Sequence, residues 1–240
     1  MKFLVTAGST HEAIDEVRAW GNIFTGNTGY AIAKALARHG AVDLVTSNAA
    51  HLAEVAAPPG GAAGVRGVGF TSHADLKQAL TRLVPGGDYQ AVFMTAAVAD
   101  YRPQRMYEVV ERQEGPGPGA ERWLVRDVQA GKVAGSYRQV AILGERTEKI
   151  VDLFRSTWGH RGLLFKFKLE VGMTVAQLLA VGRTSRQASG ADFLIANTLD
   201  MVAGAHAGAW LISSGGEEWV PRAELAERLA ELAVHTKPGG

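Results

Sequence analysis

Lys2-Phe-Leu-Val-Thr-Ala-Gly8-Ser9-Thr10 decides the fold. A short apolar run ends on a glycine and two hydroxyls, the pattern of a buried strand entering a tight polar loop. His11-Glu-Ala-Ile-Asp-Glu-Val-Arg18 follows, and Asn22-Ile-Phe-Thr25-Gly26-Asn-Thr-Gly29 then opens a helix. A strand, a polar loop and a glycine-bearing helix start can cradle a phosphate with backbone N–H groups. A dinucleotide loop would place Gly-x-Gly-x-x-Gly directly at the helix start. Here the helix is delayed to about Gly29, so the loop has room to wrap a ligand. The N–H groups near Gly8, Gly26 and Gly29 and the hydroxyls of Ser9, Thr10 and Thr25 are the candidate cradle. The bland alternative is that these glycines serve turns and these hydroxyls cap a helix.

Outward from that strand the apolar runs recur at 42–46, 65–70, 90–96, 163–167 and 192–196. Helical patterns lie between them, at 29–39, 73–84, 147–157 and 174–188, and 222–234 closes the chain. Alternating strand and helix predicts an α/β fold with a mostly parallel, doubly wound sheet. The runs at 209–213 and 217–220 flank Ser214-Gly-Gly216 and predict a hairpin. Residues 101–146 break the rhythm with Pro103, Gly115-Pro-Gly-Pro-Gly119 and mixed charges. A loop this long in a compact domain is expected to be a lid or a disordered insert. It reads as a flap leaving strand 90–96. Residues 57–64 read as a surface linker, and 1–240 as one domain.

Composition narrows the function classes. The 240 residues are 47% hydrophobic, enough for one large core. A net charge of +1 argues against bulk binding of nucleic acid. No cysteine is present, which excludes disulfides, thiolate metal sites and a cysteine nucleophile. No run is long and apolar enough to span a membrane, and the expectation is a cytoplasmic protein. The seven histidines lack metal-ligand spacing, and His11, His39 and His160 are expected at the surface. Ser213-Ser-Gly-Gly216 is a turn, not a nucleophile elbow. Thr95-Ala-Ala-Val-Ala-Asp100-Tyr-Arg-Pro103 sits at the C-terminal end of a central strand, where open α/β sheets collect ligands. Its small residues let a nucleotide approach the backbone, and Asp100 can accept from ribose hydroxyls or cap a turn.

Taken in order, several strings carry a family resemblance. They are Thr10-x-Glu12-x-Ile-Asp15-x-Val-Arg18, Asn22-x-x-Thr25-Gly26-x-x-Gly29, Ala96-Ala-Val-Ala-Asp100-Tyr-Arg-Pro103, Lys132-Val133 and Ile195-Ala-Asn197. Together they resemble phosphopantothenate–cysteine ligase, in its short bacterial form without the flavin-dependent decarboxylase. The resemblance implies a Rossmann-like fold with an active-site flap, and no flavin. It implies substrates 4′-phosphopantothenate, CTP or ATP, and cysteine, Mg2+ accompanying the triphosphate, and a homodimer. No metal ligand is identifiable in the sequence.

The resemblance also implies site roles. Asn22 would bind phosphopantothenate and position the acyl intermediate. Lys132 would contact the triphosphate from the flap. Gly8, Ser9, Thr10, Arg18, Thr25, Gly26 and Ala97 would line the acid substrate. Thr95, Ala96, Asp100, Phe167 and the segment Glu148, Lys149, Ile150 and Val151 would surround the nucleotide. The chain departs from the family pattern at Asn27, often basic, at Ser185 and Ser189, often lysine, and at Glu148, Lys166 and Thr198. Arg183 and Arg186 lie near the missing lysines and are candidates to replace them. Lys166 and Lys168 alternate on a strand and so share a face that could serve phosphates or simply be a polar strand face. A non-catalytic nucleotide-binding paralogue and a nicotinamide-dependent reductase are the competing readings; the reductase would need the glycine fingerprint the first loop lacks.

Overall fold

The structure is a computed structural model, described for residues 1–57, 64–204 and 206–237. The linker expected at 57–64 therefore lies almost wholly outside the described residues. Chain order is β1 (Lys2–Ala7), β2 (His11–Ala13), β3 (Ala19–Gly21), α1 (Asn27–Leu36), β4 (Ala41–Thr46), α2 (Ala49–Ala56), β5 (Val65–Gly69), α3 (His73–Leu83) and β6 (Ala91–Met94). Then follow β7 (Tyr101–Glu114), β8 (Glu121–Asp127), β9 (Val140–Arg146), α4 (Ile150–Ser156), β10 (Leu163–Glu170), α5 (Val175–Ser189) and β11 (Phe193–Thr198). A 3-10 turn at Leu199–Met201, the hairpin β12 (Gly208–Ser213) and β13 (Gly216–Pro221), and α6 (Arg222–His235) complete it.

The eight-stranded sheet has the order β13-β12-β11-β10-β6-β1-β4-β5. Strands β5 through β11 in this order run parallel, and the β12–β13 hairpin adds an antiparallel edge. This is the expected doubly wound, Rossmann-like arrangement. Central strands are apolar on both sides because helices cover both faces. Phe3, Val5, Phe93 and Phe165 pack with Tyr30, Ile32 and Leu36 of α1 and with Leu225 and Leu229 of α6. Leu4, Val92 and Leu164 pack on the other face with Leu76 and Leu80 of α3 and Ile150 and Phe154 of α4. Phe93, Phe165 and Phe193 stack across three neighbouring strands, with centroids 4.2 and 4.7 Å apart. Each buried phenylalanine contributes about 1.5–3 kcal/mol through its burial.

The 101–146 insert is largely strand, with an irregular connection at 128–139. It is a three-stranded antiparallel sheet in the order β8-β7-β9, and Gly115–Gly119 form the tip joining β7 to β8. Its base is closed where Thr147 N and Oγ1 donate to the carbonyls of Asp100 (2.9 Å) and Ala99 (2.6 Å). Strand β6 stops at Met94, two residues before the apolar run does, because residues 95–100 leave the sheet to form the site loop. One surface expectation fails. His160 is buried, its Nε2 lies 3.2 Å from the Leu163 carbonyl, and its ring meets Phe154 edge-on. Burial pushes its pKa below the usual histidine value.

Candidate active site

The loops after β1 and β6 are sewn together at the C-terminal edge of the sheet. Ala97 N donates to Gly8 O (2.9 Å), Thr10 N donates to Ala97 O (3.1 Å), and Ala99 N donates to Thr10 Oγ1 (2.9 Å). Ser9 Oγ donates to Asn22 O (3.2 Å), and Ser9 N donates to Ser47 Oγ (2.9 Å). Ser9 and Thr10 are thus buried and spend their hydroxyls on protein partners. Asn22 is exposed beside them, with Nδ2 3.4 Å from Ala97 O.

Beneath these loops lies a cavity of about 390 Å³. Gly8, Thr25, Gly26, Gly29, Thr95, Ala96, Ala97 and Phe167 line it, together with Asn197 and Arg222. The small residues are sterically required here. Gly26 holds φ +83°, and a Cβ on it would meet Gly8 N at 2.1 Å. A Cβ on Gly29 would meet Thr95 Oγ1 at 2.3 Å and Thr6 O at 2.8 Å. Helix α1 can therefore start against the ends of β1 and β6 only because both positions lack side chains. The β2–β3 hairpin intervenes between Gly8 and α1, so the direct strand-to-helix glycine turn of a dinucleotide fold is absent.

A second network fixes the 14–18 loop. Asp15 Oδ1 accepts from Val17 N (2.9 Å) and Arg18 N (2.8 Å), while Oδ2 accepts from Val133 N (3.1 Å) and from Arg18 Nε (3.0 Å) and Nη2. Arg18 Nη2 also donates to Val133 O (2.8 Å), and Glu16 N donates to Gly131 O (2.8 Å). The Arg18 guanidinium, with the backbone N–H donors, holds the Asp15 carboxyl well below the usual carboxylate range. Arg18 is therefore engaged within the protein. Its network docks the segment around Lys132 against the first loop and leaves Lys132 itself exposed.

The remaining candidates are dispersed. Asp100 is exposed at the flap base. Glu148 pairs with Lys77 at 2.5 Å, and its carbonyl accepts from His73 Nε2 (2.7 Å). Lys149 precedes α4, Ile150 is 1% exposed within the core, and Val151 packs on it. Arg183 pairs with Glu217 at 2.5 Å, and Arg186 Nη1 donates to Ala191 O (3.2 Å), both toward the end of the sheet opposite the cavity. Near the serines that replace lysines, Lys166 Nζ donates to Ser185 O (3.1 Å), and burial lowers its pKa. Lys168 lines the cavity and pairs with Glu170 at 2.7 Å.

Arg222 escapes a reading by local motif. It is the first residue of α6, nearly two hundred positions from the first turn of α1 that it faces, and its Nη2 donates to Thr28 Oγ1 (3.1 Å). Among the described residues it forms no ion pair. The one local signal is Pro221, which places a helix start there. Also among the described residues, no three His, Cys, Asp or Glu side chains cluster to hold a metal, and no helix is long and apolar enough to cross a membrane.

Residues 1–115 match the family described as DNA/pantothenate metabolism flavoprotein C-terminal domain. The coenzyme A biosynthesis bifunctional protein CoaBC of Mycolicibacterium smegmatis is 32% identical over 91% of the chain and 48% of its own length. The chain thus spans about half the length of the curated relatives it matches. The crystal structure of the DNA/pantothenate metabolism flavoprotein from Streptococcus pneumoniae superposes with a TM-score of 0.74 at 28% identity, covering 96% of this chain and 97% of that one. A Cab2 mutant in complex with phosphopantothenate-cysteine shares the fold, with a TM-score of 0.66 at 15% identity, over 97% of this chain and 85% of that one. Through residues 1–115 the chain matches the DNA/pantothenate metabolism flavoprotein C-terminal domain, and it is a homologue of the C-terminal half of the CoaBC proteins.

Proposed function

We propose that residues 1–240 act as one phosphopantothenate–cysteine ligase unit in coenzyme A biosynthesis. The observation that carries this reading is the convergence of Gly8, Gly26, Gly29, Thr95–Ala97, Phe167 and Asn197 on one cavity, beside an exposed Asn22 and a docked Lys132 segment. A carboxylate oxygen of 4′-phosphopantothenate attacks the α-phosphorus of CTP or ATP. The bond to the bridging oxygen breaks, and pyrophosphate leaves with the electron pair. The cysteine amine then attacks the acyl carbon, the acyl–oxygen bond breaks, and the nucleoside monophosphate leaves while nitrogen sheds a proton.

Two anions must meet in the first step, so fixed cations and aligned donors supply much of the rate. With Arg18 engaged by Asp15 and Lys168 by Glu170, that charge falls to Lys132 and Arg222. Asn22, near Ala97, addresses the acyl group. The three-stranded flap shields the mixed anhydride from water. Since the described residues offer no metal cage, Mg2+ enters as part of the triphosphate substrate. A cytoplasmic homodimer is part of the proposal, and the exposed Val110, Trp123, Leu124 and Leu143 of the flap offer it an apolar surface.

Pyrophosphate release is measured with CTP and ATP in parallel, with and without phosphopantothenate, then with cysteine. Release that depends on phosphopantothenate, followed by a cysteine-dependent product, is expected. Asn22→Asp and Lys132→Gln each lower turnover with the fold intact. No acyl-nucleotidylate with either nucleotide, or wild-type rates in both variants, overturns the reading.

A further inference from the structure

A buried imidazole lies directly behind the cavity wall and has no part in the chemistry above. His51, on α2, is 6% exposed and stacks on Tyr30 of α1 with centroids 4.3 Å apart. Glu54 and Lys34 are the charged groups that bear on it, and burial is the larger influence, lowering its pKa and favouring the neutral ring. Its Nε2 stands 3.1 Å from Oδ1 of Asn27, a residue that lines the cavity.

The surrounding hydrogen bonds orient this contact. Asn48 Oδ1 accepts from Ala50 N (3.0 Å), and its Nδ2 donates to Thr25 O (2.9 Å), which fixes that amide and anchors the loop. The same Nδ2 is 3.4 Å from His51 Nε2, a longer approach than that of Asn27. The shorter contact makes Nε2–H the donor and Asn27 Oδ1 the acceptor. The ring's Nδ1 is then the unprotonated nitrogen, and it is buried without a partner. With Oδ1 held from behind, the Asn27 NH2 group is the end of the amide left for the cavity.

We propose that His51 is a positioning residue. It holds Asn27 so that a neutral N–H donor faces the cavity and meets a phosphate oxygen of a bound substrate. The phosphate can come from the nucleoside triphosphate or from phosphopantothenate, and each is tested alone. The proposal rests on the ligase reading for the ligand and on the hydrogen-bond network for the geometry. Two arrangements of the pair differ in consequence. If His51 donates, Asn27→Asp keeps the bond behind the wall and loses only the donor in front. If His51 accepts, the same variant loses the bond itself and the chain is destabilised.

The test is calorimetric binding of CTP, ATP and phosphopantothenate, each separately, to the full chain and to Asn27→Ala, Asn27→Asp, His51→Ala and His51→Gln. No turnover is required. Asn27→Ala is expected to weaken one phosphate ligand about 3- to 10-fold, the size of a single neutral hydrogen bond. His51→Ala should weaken the same ligand, and the double variant no further, because both changes remove one donor. His51→Gln, whose amide can donate from a similar position, should restore binding. Asn27→Asp should keep the wild-type melting temperature. Additive losses, a His51→Ala that binds normally, unchanged binding in Asn27→Ala, or an unstable Asn27→Asp would overturn the proposal and leave the ligase reading standing. A wild-type chain that binds none of the three ligands refutes the ligase reading and removes the proposal's ligand with it.

Discussion

Gly26→Ala probes how closely α1 must approach the sheet for the cavity to exist. Two costs add at this position. The backbone sits at φ +83°, where a side chain costs about 1–2 kcal/mol. The new Cβ would also meet Gly8 N at 2.1 Å, Gly8 Cα at 2.7 Å and Ala7 C at 3.0 Å. All three contacts are backbone atoms, so no flexible side chain can swing aside. Overpacking of this kind costs about 1–3 kcal/mol. A total near 3 kcal/mol lowers Tm by about 6–12 °C in a chain of this size. Gly86→Ala is the control, since Gly86 has φ +73° with nothing within 4 Å of its would-be Cβ. It should show the backbone cost alone, about 1–2 kcal/mol or about 2–8 °C. Thermal melts of both variants separate clash from strain, and nucleotide binding reports the cavity. Equal Tm losses in the two variants, or a Gly26→Ala chain that binds nucleotide like wild type, would refute the close-approach argument.

Asp15→Asn should leave the core folded but release the segment around Lys132 from the first loop. Misplacement of a catalytic group by about 1 Å costs about 100-fold in turnover, and steady-state rates check this against wild-type behaviour. Arg222→Ala removes a charged donor from the cavity, and a charge-assisted hydrogen bond is worth about 1.5–3 kcal/mol, so KM for one phosphate substrate should rise at least tenfold; unchanged KM for both would exclude a role in binding. Stability should fall as pH drops below about 6.5, the free histidine value, because burial depresses the pKa values of both His51 and His160. The unfolded chain takes up protons first over this interval, so acid favours unfolding there. The depressed carboxylates Asp15 and Asp75 act only at lower pH, nearer 4. A Tm that is flat or rises between pH 6.5 and 5, or a slope that survives in the His51→Gln, His160→Gln double variant, would contradict this.

What could be read from sequence follows from where the information sits. Strands β1, β4, β6, β10 and β11 are buried on both faces, and such strands appear as apolar runs whatever their partners. Three-residue β2 and β3 carry no period. Helix α2 hides in an alanine-rich stretch whose only strong signal is Asn48, the cap that accepts from Ala50 N. The flap reads as a break because Gly115-Pro-Gly-Pro-Gly119 dominates the local composition, although it is only the tip of a long hairpin. The same division governs the site. Gly8, Gly26 and Thr95–Ala97 are constrained by their own loops, so their spacing points to the cavity they form. Hydroxyls cannot be assigned this way. Ser9 and Thr10 look like ligands, yet the pairing of Thr10 with Ala99 and of Ser9 with Asn22 spends them inside the fold. Charges are harder still, since whether an arginine is spare depends on partners far along the chain. Arg18 looks free and is held by Asp15 and Val133, whereas Arg222 looks like a surface residue of the last helix and points its guanidinium at Thr28. The cavity's shape was therefore readable from glycine spacing, but its electrostatics follow only from the folded contacts.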